Sequence, residues 1–137
     1  MAAMSDFLEG EVIKHIFRTG SYTKPSTIYI ALCTAAPSDS STGSTITEPS
    51  GGSYARVQVG PADGSWSAPG AGGLTDNVAD ITFATATANW GTITHVAICD
   101  ASTAGNLLFH GALTTSKAVN NGDTFKFNAG ALDVTLA

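Results

Sequence analysis

The sequence predicts a mainly β fold: a single antiparallel β-sandwich, jelly-roll-like, with one N-terminal α-helix. Three observations predict it. An apolar period near 3.6 residues occurs only in the opening segment. Beyond Pro25 the period becomes two, in short runs rich in Val, Ile, Thr and aromatic residues. Clusters of Gly, Asn, Asp and Ser separate those runs, as in antiparallel sandwiches and barrels. The 137 residues are expected to form one domain spanning 1–137, since domains peak at about 100–150 residues.

The helix is expected over residues 5–19. Ser5 or Asp6 can cap it, and Glu9 favours its positive N-terminal end. Leu8, Val12 and Ile16 recur at i+4, and Ile13 and Phe17 complete an apolar stripe. Lys14, His15 and Arg18 suit the last turn, and Gly20 is placed to stop it. The stripe is expected to pack on the domain's own sheet or to dock on another subunit.

Thr27 to Thr34 puts Ile28, Ile30 and Leu32 on one face and Tyr29, Ala31 and Cys33 on the other. Both faces are apolar, which predicts a central, covered strand. Ala55 to Val59 alternates, with Arg56 and Gln58 expected to face outward. Further strands are expected over Val78–Ala84, Thr92–Cys99, Asn106–Leu113, Thr124–Asn128 and Ala131–Leu136. The last four are expected to run as a meander. Asn120-Asn121-Gly122-Asp123 has the chemistry of a tight turn, and Trp90 is placed to plug one end of the sandwich.

Two long loops, 35–54 and 60–77, are expected. The first is Ser, Thr, Gly and Pro with scarcely an apolar residue beyond Ile46. The second carries Trp66 amid glycines. Structureless loops of this length are uncommon in a compact domain and are usually functional or disordered. Both are read as flexible in isolation and as arms that reach a neighbour in an assembly. Trp66 is expected to be covered either by the domain's own surface or by another chain or a glycan. Candidate partner-contact residues are therefore Phe7, Ile46, Tyr54 and Trp66.

Composition excludes several functions. Charged residues are 12% of the chain, with a net charge of −5 and six Lys and Arg; clustered cations for a phosphate backbone are missing, so nucleic acid is not an expected partner. No apolar run reaches the roughly 18–20 residues of a membrane span. A signal peptide is not expected either, because Glu9, Glu11, Lys14 and His15 interrupt Phe7 to Phe17. No nucleophile elbow, phosphate loop or zinc-ligand spacing occurs, so no catalytic residue, metal or cofactor is expected. His95 and His110 lie on neighbouring strands, where solvent or a partner accounts for them. Cys33 and Cys99 read as small buried hydrophobes, with a single bridge as the alternative.

Several segments in succession carry a resemblance. They are Met4-Ser-Asp-Phe-Leu-Glu9, Ile28-Tyr-Ile-Ala-Leu32, Gly51-Gly-Ser-Tyr-Ala-Arg56, Ala88-Asn-Trp-Gly-Thr-Ile-Thr-His95, Gly105-Asn-Leu-Leu-Phe109, Gly111-Ala-Leu-Thr-Thr-Ser-Lys117 and Val119-Asn-Asn-Gly-Asp-Thr-Phe125. In their order the chain resembles a family of small bacteriophage virion structural proteins, of the tail fibre-like, minor structural or decoration kind. The resemblance implies a non-enzymatic virion component, assembled in the host cytoplasm with other virion proteins. A shaft would need length, heptads or repeats, so a capsid decoration or cement protein binding in many copies is the leading expectation. A tail or tail-fibre accessory, with Trp66 and Tyr54 meeting a host glycan or receptor, is the alternative. A homo-oligomer is expected in either case.

Overall fold

The computed structural model describes residues 2–136; the two ends of the expected domain, residues 1 and 137, lie outside the described residues. It is mainly β with antiparallel strand pairing and one helix. The strands are β1 (Ala3–Met4), β2 (Tyr29–Cys33), β3 (Val57–Gln58), β4 (Leu74–Asp76), β5 (Ile81–Thr82), β6 (Gly91–Cys99), β7 (Leu107–Val119), β8 (Lys126–Phe127) and β9 (Asp133–Thr135). Helix α1 covers Asp6–Phe17. One layer is a five-stranded sheet in the order β1-β7-β6-β2-β3, and the remaining strands form two-stranded ribbons, β4-β9 and β5-β8.

The alternation in β2 sorts its side chains between two cores. Ile30 and Leu32 join Ile93, Val96 and Ile98 of β6 under the ribbons, with Ile81, Phe83, Phe125, Phe127 and Val134 from the opposite layer. Ala31 and Cys33 join Ala97, Cys99, Leu107 and Ile46 on the other face. Both faces of β2 are covered, as its two apolar faces require. Trp90 closes one end of the larger core, edge-on to Tyr54, and its Nε1 donates to Gly52 O at 2.8 Å.

The expected meander holds for one pair only. β6 and β7 form a hairpin, but β8 pairs with β5 and β9 with β4. The Asn120–Asp123 turn forms: Asp123 N donates to Asn120 O, and Gly122 takes a φ of +92°. It hands the chain to the opposite layer instead of back along β7, because Phe125 buries against Phe83 there and Phe127 against Phe125. The expected strand at Val78–Ala84 shrinks to β5, and Leu74–Asp76, expected as loop, pairs with β9. β7 runs past Leu113 to Val119, since Thr114 and Thr115 suit an exposed strand.

Neither long connection extends away as an arm. Segment 35–54 folds over the second core, with Thr34 N donating to Thr47 O and Gly43 N to Gly105 O. Segment 60–77 turns back on itself through Ser67 N to Asp76 O and Gly70 N to Leu74 O. Buried Asn77 fastens it to the opposite layer: its Nδ2 donates to Ala79 O and Asn128 O, and its Oδ1 accepts from Leu132 N.

Candidate partner-docking surface

Helix α1 is fixed at its start and free at its end. Ser5 is fully buried; its N–H donates to Leu108 O, its Oγ donates to Leu107 O, and the same Oγ caps the helix by accepting from Leu8 N. A serine oxygen at this position satisfies one of the helix's unpaired N–H groups. Leu8 is buried, but the rest of the stripe is not. Ile13 is 54% exposed, Ile16 63% and Phe17 80%. The helix meets β7 and β1 with its first turns, and its final turn presents apolar side chains to solvent. Around them stand Lys14, His15 and Arg18; Lys14 reaches Glu11 at 2.9 Å, and His15 Nδ1 accepts from Tyr22 N at 3.2 Å. Tyr22 in turn packs edge-on to Phe7 at 6.5 Å between ring centres. Burial, then the charges of Asp100 and Glu11, raise the Tyr22 phenol above its ordinary pKa.

A second apolar surface is concave. A groove of about 300 Å³ lies between segment 60–77 and the sheet, lined by Ile28, Trp66, Leu74, Ile98, Phe109 and Leu136 among others. Its polar atoms are already used: Trp66 Nε1 donates to Val59 O at 3.0 Å, and Thr75 Oγ1 donates to Ser67 O at 2.8 Å. The groove therefore offers apolar contact and shape, and few free hydrogen-bonding groups.

The sequence expectation for Arg56 is overturned. Instead of facing outward it is buried, and its guanidinium is bidentate to Glu48, with Nε to Oε1 at 3.0 Å and Nη2 to Oε2 at 2.8 Å. Nη1 also donates to Ala101 O and Ala104 O, and Nη2 to Gly43 O. Tyr54 completes the cluster, donating its hydroxyl to Glu48 Oε1 at 2.6 Å and accepting from Leu32 N at 2.9 Å. Burial first, then the bond to Glu48, push its phenol far up. The cluster ties three loops together.

The four candidate contact residues are thus in different places. Ile46 is 8% exposed and packs in the second core. Tyr54 is held by Glu48 and borders a separate depression with Arg56, whereas Trp66 lines the groove, which Tyr54 does not reach. Phe7 is 36% exposed near the start of α1. The exposed residues that sequence reasoning placed in the stripe are Ile13, Ile16 and Phe17. The available signal is Glu9 alone, which falls inside the stripe between Ile16 and Ile13, while Glu11, Lys14, His15 and Arg18 occupy the opposite face.

His95 lies across from Cys33 and Ala112, and His110 across from Ala97, so the two rings are not opposed. His110 Nε2 is 2.7 Å from Asp39 Oδ1. Among the described residues no group of three or more His, Cys, Asp and Glu side chains could hold a metal ion. Cys33 and Cys99 are free, buried thiols, pushed up by burial to about 12 and about 11 from an ordinary 9.0. Two results follow. In the native protein neither thiol reacts rapidly with an aromatic disulfide reagent, and both react after unfolding. Stability is intact below pH 9, where both states hold their protons, and falls as pH rises towards about 11 and 12, where unfolded thiols ionise and folded ones resist. Urea unfolding at pH 8 and pH 10.5 measures this loss; an unchanged midpoint contradicts it.

The mainly β, antiparallel fold fits a bacteriophage virion structural protein of the fibre kind. The chain belongs to the family described as Podophage GP4 fiber I protein gp80, which matches residues 3–135. No curated protein matches the chain. Among the described residues no helix is long and apolar enough to cross a membrane.

Proposed function

We propose that the protein is a non-enzymatic module of a phage tail fibre, joined to other virion proteins through the exposed apolar end of α1. The observation that carries this is the outward Ile13, Ile16 and Phe17 on a helix whose base is locked to β7 by Ser5. Apolar side chains this large are covered in most assembled proteins, and aromatic residues are enriched at interface cores. A rigid base gives such a contact direction without an ordering cost.

The family's description supports a fibre position over capsid decoration. The compactness that suggested a cement role serves an accessory of a fibre equally, and no surface here favours the head. The glycan reading gains no support from geometry, because Trp66 and Tyr54 are separate and the groove beside Trp66 has few free polar groups to meet a sugar. The test is incorporation: phage carrying I16S/F17S are purified and the protein is quantified per particle. At least a ten-fold loss, with the variant folded when expressed alone, is expected. Full incorporation overturns the proposal.

A further inference from the structure

Strand β1 lies in a slot that continues past it. It pairs antiparallel with β7, Ala3 opposite His110 and Met4 opposite Phe109. Ala2 then bridges to Val134 of the opposite layer: Ala2 N donates to Asp133 O and Thr135 N donates to Ala2 O, each at 3.0 Å. The N-terminal segment thus stitches the five-stranded sheet to the β4-β9 ribbon. Beyond Ala2 the two flanks run on with an open cleft of about 260 Å³ between them, and Ala2 stands in its lining. We propose that this cleft receives an extended peptide strand of another virion protein, laid along β7 in line with β1. This goes beyond the reading above, which concerns the end of α1.

The backbone carries the argument. β1 covers only Phe109 and His110, so from Gly111 to Ala118 β7 has no strand on its outer side among the described residues. Thr114 to Ala118 are all exposed. Successive side chains of a strand alternate, so both of its faces are open there. A bulge removes inner partners as well. Ile93 pairs with Lys117 and His95 with Ala112, which leaves Leu113, Thr114, Thr115 and Ser116 opposite Thr94 alone. Across the cleft, β8 pairs only with β5, and its Lys126 and Phe127 line the opening. The N–H and C=O groups of such an edge are matched by another extended chain, which is how strand addition recognises peptides. Leu113, Phe127 and Leu132 give the cleft an apolar floor. The guest strand therefore presents medium-sized apolar side chains at alternate positions.

The donor is a different protein. Every described strand of this chain is placed in its own fold, and segments 35–54 and 60–77 fold back on it too. A second copy therefore has no strand to lend. The bulge and the exposed Lys117 also discourage two β7 edges from pairing with each other.

Amide hydrogen exchange on the full chain tests this in two settings. In the first, the sequence Thr-Val-Thr-Val-Thr is added ahead of residue 1, so that β1 can run on along β7. Exchange at Thr114, Thr115 and Ser116 is expected to slow at least ten-fold relative to a Gly-Ser-Gly-Ser-Gly extension. Equal rates mean that the cleft takes no strand, and overturn the proposal. In the second, the same amides are compared in purified virions and in the free protein, with at least ten-fold protection expected in the particle. T115P, which removes one edge donor, is expected to lose that protection at Thr114 and Ser116, and T115A to keep it. Unprotected amides in wild-type particles overturn the proposal whether or not T115P folds. Protection that a folded T115P retains is burial without strand pairing, and overturns it too. Protection of the free wild type that grows with its concentration makes a second copy the donor, and equally overturns it.

Discussion

Replacing Arg56 with alanine is expected to lower stability by about 3–5 kcal/mol, the usual cost of removing one partner of a buried ion pair. The substitution leaves Glu48 partly buried beside Tyr54 without its cation, and strips donors from Gly43, Ala101 and Ala104 carbonyls. For a chain of this size the melting temperature should fall by roughly 10–20 °C. E48A should cost less than R56A, because Arg56 keeps its three carbonyl bonds. The double variant should cost well under the sum, since the second change removes the stranded charge. Calorimetry of the three variants checks this. A loss below about 1 kcal/mol for R56A contradicts the assignment, because that is the range of an exposed pair.

The second large effect is at Asn77. N77A removes three hydrogen bonds and leaves Ala79 O, Asn128 O and Leu132 N to find water at a site that is 1% exposed. Each unsatisfied buried group costs about 1–3 kcal/mol, softened where water enters, so a total of roughly 2–4 kcal/mol is expected. N77D should be no better near neutral pH, because its carboxylate faces two carbonyl oxygens where the amide had donated. Urea unfolding measures both. A neutral N77A means that segment 60–77 is held by its own turns instead.

The regular parts of the fold were legible because their signals are local. The helix start at Ser5, the two-faced burial of β2, the turn at Asn120–Asp123 and the position of Trp90 all follow from spacing and turn chemistry. The pairing of β8 with β5 and of β9 with β4 was not legible, because short ribbons are placed by where Phe83, Phe125, Phe127 and Val134 bury, not by neighbours in sequence. Arg56 was misread for the same reason. An alternating strand beside a polar loop gives no hint that Glu48 and three carbonyls will converge on it. Asn77 looks like any turn residue, and its partners Asn128 and Leu132 lie 51 and 55 positions away. On α1 the apolar spacing was read correctly, but spacing alone does not say what covers the stripe. The domain covers Leu8 and leaves Ile13, Ile16 and Phe17 outward.

The most direct test of the account is where the protein sits on the particle. Purified wild-type protein is mixed with virions lacking it, and the added density is located by averaged electron microscopy, with I16S/F17S as the control. The account predicts density confined to the tail fibres, absent with the variant. Regular density over the head, with better survival of heated particles, would contradict it and make the protein a capsid cement.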